Sequence, residues 1–281
     1  MAERRGLVVC LSVVALGLGC QPDQPAPSGQ RLIVAVTIPP QAEFVERVGG
    51  DGVEPLIMVP AGAEPHTYEA TPRQLVRLNE AQAYAQVGTG IAFEQVWLER
   101  IRAANPRLLI IDCGAEVPLV DGDPHAWLSL RHARTMAAAV RDGLCRLDPA
   151  REAVYRRNWE QYAAELAALD STLAARLGAS GVRAFLVYHP SWGYFARDYG
   201  LRQLSVEQEG REPTAQRLGQ LVDELRRERL RTLFVAPQFE PRSARAIAAE
   251  IGATVVTADP LPRRYLAEMG RFGTALAESG R

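Results

Sequence analysis

DPAREAVYRRNWEQYAAELAALDSTLAARL, residues 148–177, contains no glycine and, after Pro149, no proline. Asp148-Pro149 is a capping pair suited to a helix start. The apolar residues Val154, Leu166, Leu169 and Leu173 recur at helical spacing. One helix of roughly 30 residues would be about 45 Å long. That is enough to run the length of two lobes and to limit their relative motion. Too few clean heptads repeat for a coiled coil.

On either side of this helix the sequence alternates between strand and helix patterns. Upstream, Arg31 to Ile38 reads as a buried strand, followed by a helix through Phe44, Val45 and Val48 and a second strand at Val53 to Val59. Thr71-Pro72-Arg73-Gln74 carries a capping-box helix start. Strands at Ala83 to Val87 and Leu108 to Asp112 flank a helix at Phe93 to Ala103, and Ser129 to Leu144 reads as an amphipathic helix. Downstream come strands at Arg183 to Tyr188, Leu201 to Val206, Arg231 to Ala236 and Thr254 to Thr257. Helices are expected at Thr214 to Arg229, at Ser243 to Ile251 and at the C-terminus.

Such alternation predicts an α/β fold with mainly parallel sheets, whose ligand sites gather outside the strand carboxyl ends. The expected organisation is a leader and tether at 1–29, an N-terminal lobe at 30–147, the linking helix at 148–178 and a C-terminal lobe at 179–281.

With 281 residues, 47% of them hydrophobic, the chain can bury a substantial core. A formal net charge of −1 and the lack of any basic run argue against nucleic acid or an anionic membrane as partner. All 32 cationic residues are arginine. Without lysine there is no Schiff base to pyridoxal phosphate and no phosphate-loop lysine.

Arg4 and Arg5 followed by the apolar run Leu7 to Leu18 read as an export signal, too short for a permanent membrane span. Leu16-Gly17-Leu18-Gly19-Cys20 resembles a bacterial lipoprotein cleavage box, with Gly17 where that pattern prefers leucine. The expectation is a lipid anchor at Cys20 and a flexible tether at Gln21 to Gly29. Cys113 and Cys145, the cysteines of the body, read as small buried side chains rather than a disulfide.

Three of the chain's four histidines lie in short proline-bearing segments. These are Glu64-Pro65-His66-Thr67-Tyr68-Glu69, Asp123-Pro124-His125-Ala126-Trp127 and His189-Pro190-Ser191-Trp192-Gly193-Tyr194-Phe195; Asp259-Pro260-Leu261 adds a carboxylate. The intervals of 59, 64 and 70 residues between His66, His125, His189 and Asp259 are each long enough for strand-helix-strand folding. Imidazole nitrogen with a carboxylate suits Zn²⁺ and, less selectively, Mn²⁺ or Fe²⁺, whereas calcium and magnesium sites use oxygen. His132 lies outside these segments and reads as a surface helical residue, about 10 Å from His125.

These segments, with Glu207-Gln208-Glu209-Gly210-Arg211-Glu212-Pro213, resemble the zinc/manganese substrate-binding proteins of ABC importers, the ZnuA/TroA-like solute-binding proteins. The likeness covers about Ile33 to Met269. It implies two α/β lobes on one long helix, a single metal held between them by His66, His125, His189 and Asp259, and delivery to a membrane permease by an extracytoplasmic monomer. In that family a histidine at the third motif leans toward zinc and a glutamate toward manganese, so His189 favours zinc. The short Gly114 to Gly122 loop lacks the histidine-rich insertion often found in zinc members.

Glu64 and Glu69 are candidate acceptors that hold a histidine tautomer, and Glu207 and Glu209 are candidates to approach from the second lobe. Trp127, Trp192, Tyr194 and Phe195 are expected to pack the floor between the lobes. Because protons compete with metal for imidazole, affinity should fall below about pH 6.5. A zinc hydrolase is the rival reading, disfavoured if Asp259 closes the site as a fourth ligand and by the lack of a His-Glu-x-x-His motif. A surface adhesin is a second rival, although no adhesive module is visible.

Overall fold

The computed structural model describes residues 31–120, 122–207, 214–239 and 241–280. The export signal, Cys20 and the tether lie outside the described residues, as do Glu209 and the rest of 208–213.

The first sheet comprises β1 (Leu32–Val36), β2 (Val53–Ile57), β3 (Ala83–Gln86) and β4 (Leu109–Asp112), all parallel in the order β2-β1-β3-β4. Its crossovers are α1 (Pro39–Gly49), α2 (Pro72–Leu78) and α3 (Ala92–Ala104), and α4 (Leu130–Leu147) follows β4. β1 and β3 are central and almost wholly buried, as their uninterrupted apolar runs require. The Thr71 capping box forms as its sequence dictates: Thr71 Oγ1 accepts the Gln74 N–H at 3.3 Å, and Gln74 Oε1 accepts the Thr71 N–H at 2.9 Å.

A 3₁₀ turn at Pro149–Arg151 leads into α5 (Glu152–Ser180), a helix of 29 residues. At 1.5 Å per residue it is about 44 Å long. Its buried stripe is Tyr155, Tyr162, Leu166, Leu173 and Leu177, spaced alternately by seven and four, so one face stays on the core along the whole length. Gly181 ends it in the left-handed conformation at φ +79°, where a side chain would be strained.

The second sheet repeats the first's topology: β5 (Ala184–Val187), β6 (Arg202–Ser205), β7 (Thr232–Val235) and β8 (Thr254–Thr257), parallel, in the order β6-β5-β7-β8. α6 (Gly193–Asp198), α7 (Ala215–Glu228), α8 (Pro241–Ile251) and α9 (Tyr265–Glu278) complete it. The short α6, between the His189 loop and β6, is an addition to the sequence reading. Its single turn and a half is too brief to show a helical period.

One core runs from the first sheet through α5 and α9 to one face of the second sheet, including Phe185, Trp192, Phe195 and Phe234. The other face of the second sheet carries a separate cluster built from Leu186, Leu204, Leu233, Leu221, Leu225, Ala244 and Ala248. The chain's end returns to the first sheet's side. Glu43 on α1 accepts the Tyr265 N–H (2.6 Å) and the Leu266 N–H (3.2 Å), satisfying two donors at the start of α9. Trp127 Nε1 donates to Pro260 O at 2.7 Å, and the Tyr265 hydroxyl donates to Trp127 O at 2.6 Å.

Cys113 is buried and Cys145 partly so, and both are free thiols. Burial pushes both above the ordinary thiol range.

Candidate metal centre

Every residue proposed for the site lies beyond a strand's carboxyl end, where parallel sheets leave a crevice. His66 follows β2, His125 follows β4, His189 follows β5, Glu207 follows β6, and Asp259 follows β8. The structure brings the three histidines together: one nitrogen of each of His66, His125 and His189 lies within 4.8 Å of the other two. Their ring centroids are 5.3 to 6.0 Å apart. A common ion about 2.1 Å from each nitrogen needs them roughly 3.4 Å apart, so only short side-chain movements separate this arrangement from ligation. His66 is the exposed member and therefore the freest to move, while His125 is buried.

Two of the rings are already oriented. His125 Nδ1 lies 2.7 Å from Asp123 Oδ1, which also accepts the His125 backbone N–H at 2.9 Å. His189 Nδ1 lies 2.6 Å from Glu207 Oε2. A carboxylate accepts, so each Nδ1 holds the proton and each Nε2 keeps its lone pair for the centre. Glu207 reaches His189 as its segment predicts; the Asp123 contact is the unpredicted one, although an aspartate two residues before a histidine is a local signal for such a bond.

Further support for His125 comes through the backbone. Thr89 Oγ1 donates to Pro124 O, and the chain before Thr89 is braced by Glu94, whose oxygens accept the Val87 N–H (2.6 Å) and the Gly88 N–H (3.0 Å). Burial holds the Glu94 carboxyl above the usual carboxylate range. On the other side, α6 begins hard against Asp123: a Cβ on Gly193 would lie 2.5 Å from Asp123 Oδ2, so a larger residue there would displace the carboxylate that orients His125.

The cavity at the histidines is about 20 Å³ and is lined in part by Glu64, Ile91, Trp127, Gln238, Phe239 and Leu261. Its volume is on the order of what one water-sized sphere fills. Phe239 stacks on His189 with centroids 5.3 Å apart, and Trp127 meets the His125 ring edge-on at 5.3 Å. Of the four aromatic residues expected at the floor, Trp127 lines the cavity, whereas Trp192, Tyr194 and Phe195 are buried without lining it.

Asp259 is not brought into this group. Its Oδ1 accepts the Gln238 Nε2–H and the Leu261 N–H, both at 2.9 Å, and its carboxylate does not line the cavity although Pro260 and Leu261 do. Glu64 does line it. Glu64 Oε1 accepts the His66 N–H at 3.1 Å and stands 3.8 Å from His66 Nε2.

His132 corrects the sequence reading of a surface residue. It is buried, stacked edge-on against Tyr194 at 5.2 Å, with Nε2 3.2 Å from Arg197 Nη2. α6, which the sequence did not reveal, covers that side of α4. Burial and the Arg197 guanidinium both lower its pKa from the ordinary value.

Known proteins resemble this chain over most of its length. The family model "Zinc-uptake complex component A periplasmic" matches residues 34–278. A crystal structure of ZnuA superposes with a TM-score of 0.86 at 40% identity, covering 90% of this chain and 100% of the other. The manganese ABC transporter substrate-binding lipoprotein PsaA of Streptococcus anginosus is 25% identical, over 86% of this chain and 84% of its own length. The zinc-binding lipoprotein AdcA of Streptococcus pneumoniae is also 25% identical, over 82% of this chain but only 50% of its own length. The relatives are metal-binding substrate-binding proteins of ABC transporters, and the family consists of such solute-binding proteins rather than enzymes, which removes the hydrolase reading. The chain belongs to the family of periplasmic zinc-uptake complex component A proteins.

Proposed function

We propose that this chain captures one Zn²⁺ ion outside the cytoplasmic membrane and delivers it to an ABC permease. The observation that carries the reading is the convergence of three imidazole nitrogens within 4.8 Å at the carboxyl ends of two parallel sheets. Three imidazoles form a donor set suited to zinc, whereas manganese is better served by carboxylate, carbonyl and water oxygens. Two anionic groups, Asp123 and Glu207, stand behind imidazoles rather than at the ion. Their two negative charges offset the two positive charges of the ion without occupying its coordination positions, which reduces the cost of enclosing the charge.

The graded exposure of the three histidines suits capture and hand-over. A fixed pair, His125 and His189, waits with defined tautomers, and the exposed His66 closes on the ion last. Leaving first, His66 would open the site when the permease distorts the cleft. Among the described residues no helix is long and apolar enough to cross a membrane. Attachment through Cys20 would keep the carrier beside its permease, in keeping with the lipoprotein names of PsaA and AdcA.

The test is titration of the metal-stripped protein with Zn²⁺ and with Mn²⁺ while counting bound ions. One Zn²⁺ per chain at a sub-micromolar dissociation constant, roughly −8 kcal/mol or better, weakened at least a hundredfold by His125→Ala, is expected. Stoichiometric binding that survives His125→Ala would refute the assignment, and tighter binding of Mn²⁺ than of Zn²⁺ would refute the metal.

A further inference from the structure

His125 lies on the first sheet's side of the molecule, yet the chain on either side of it is gripped by α6, the six-residue helix that follows the His189 loop. Four α6 residues share the work. Gly193 packs against the Asp123 carboxylate, and the Tyr194 hydroxyl bonds the backbone of Val120 and Asp123. Arg197 Nη2 lies 3.2 Å from His132 Nε2. Asp198, whose side chain is only 4% exposed, accepts the hydroxyl of Ser129, the N-cap of α4. These contacts bracket His125 in sequence.

The Tyr194 contact is the most specific of the four. Val120 and Asp123 face each other as an isolated antiparallel pair, and such a pair can exchange two N–H to O=C bonds. One is direct, from the Asp123 N–H to Val120 O at 3.1 Å. The other runs through the phenol: the Val120 N–H donates to the Tyr194 hydroxyl at 2.9 Å, and the hydroxyl donates to Asp123 O at 3.1 Å. A hydroxyl does both at once because it carries one proton and two lone pairs. Tyr194 is fully buried and its ring is set edge-on against His132 at 5.2 Å, so packing places the hydroxyl before it makes either bond.

We propose, building on the metal-capture reading above, that α6 is a clasp that sets the spacing between His125 and His189, and that Tyr194 is its positioning residue, acting through Asp123. Only Pro190, Ser191 and Trp192 separate His189 from α6, and only Pro124 separates Asp123 from His125. The grip on Asp123 therefore joins the two histidine loops by a far shorter path than the chain's own route through α5. Moving one sheet away from the other pulls the hydroxyl out of the Val120–Asp123 pair. The same step withdraws support from the carboxylate that orients His125. Closure of the cleft and orientation of the imidazole become one event, which gives a permease that opens the cleft a direct means of weakening the site.

The experiment compares Tyr194→Phe, Gly193→Ala and Asp123→Ala, and the first two each combined with Asp123→Ala, against the wild-type full chain. Zn²⁺ dissociation constants are read by chelator competition, and the His125 ring nitrogens of metal-free protein by ¹⁵N NMR. Loss of the partner behind a ligating histidine costs roughly 10- to 100-fold in affinity, so Asp123→Ala should fall in that range and Tyr194→Phe, one bond further out, should cost about tenfold. Gly193→Ala, whose Cβ would lie 2.5 Å from Asp123 Oδ2, should also cost about tenfold, and it carries the test by itself if Tyr194→Phe does not fold. In the Asp123→Ala background each should cost about threefold or less, because the carboxylate through which they act is gone. The His125 Nδ1 shift in Tyr194→Phe should move toward its value in Asp123→Ala, which a general loss of packing would not produce. A Tyr194→Phe protein that binds one Zn²⁺ within twofold of wild type, or whose Nδ1 shift is unmoved, would overturn the inference. Tenfold losses that persist in the Asp123→Ala background would overturn it too. If the wild-type chain binds no ion, the capture reading falls, and the ¹⁵N shifts still decide whether Tyr194 positions His125.

Discussion

Replacing Glu207 by leucine removes the carboxylate behind His189 without touching any atom within reach of the ion. The Nδ1–Oε2 contact is 2.6 Å, and the Glu207 side chain is only 13% exposed, so water screens it little. Hydrogen bonds to a charged group contribute about 1.5–3 kcal/mol. Part of that holds the imidazole in one tautomer and one orientation, and that part enters the metal affinity. Loss of such a partner behind a ligating histidine costs roughly 10- to 100-fold in affinity, or about 1.4–2.7 kcal/mol. Glu207→Gln keeps an oxygen acceptor without its charge and should cost roughly half as much in free energy. The assay is Zn²⁺ competition against a chromophoric chelator, paired with ¹⁵N NMR of the histidine ring nitrogens in the metal-free protein. The ¹⁵N shifts should show His189 protonated on Nδ1 in wild type and a tautomer mixture in Glu207→Leu. A Glu207→Leu protein that binds one Zn²⁺ within twofold of wild type would refute the argument, because the ring would then be held by its packing against Phe239 alone.

Two further outcomes follow from the fold. His132 has its pKa lowered, so an unfolded chain takes up a proton near the ordinary value of about 6.5 while the folded one does so only at lower pH. The unfolded state then binds more protons, so His132 contributes a loss of stability as pH falls below about 6.5 and nothing above it. Thermal melts of metal-free protein between pH 8 and pH 5 should show a shallower decline in His132→Gln than in wild type; parallel declines would refute this. Glu43→Ala leaves the Tyr265 and Leu266 N–H groups and the Tyr162 hydroxyl without their acceptor. The expected loss is about 2–3 kcal/mol in urea unfolding at an unchanged m-value, and a loss below about 0.5 kcal/mol would show that α9 is not held this way.

Much of the fold was legible because local rules and tertiary structure agree. The strands are short apolar runs between turn residues, and Thr71 to Gln74 forms the cap that its composition specifies. α5 is uninterrupted because nothing in its sequence breaks a helix before Gly181. The three histidines were legible as a set because each sits in a proline-bearing loop after a strand. α6 was not, because six residues cannot display a helical period, and the burial of His132 went unread with it.

Residue type and periodicity are local properties, and they suffice for the parallel α/β class and the long helix; the proline-bearing histidine segments mark the imidazoles that could meet, and the family resemblance implies the ligand set. Tertiary structure alone decided the rest. Asp123 and Glu207, rather than Asp259, stand directly behind the rings, and Gln238 bonds Asp259. The terminal helix takes its N-terminal acceptor from α1, more than two hundred residues earlier in the chain. No spacing rule could supply these partners. They arise where the carboxyl ends of two sheets are brought face to face, and that distance is set by the packing of α5 and α9 rather than by any stretch of chain.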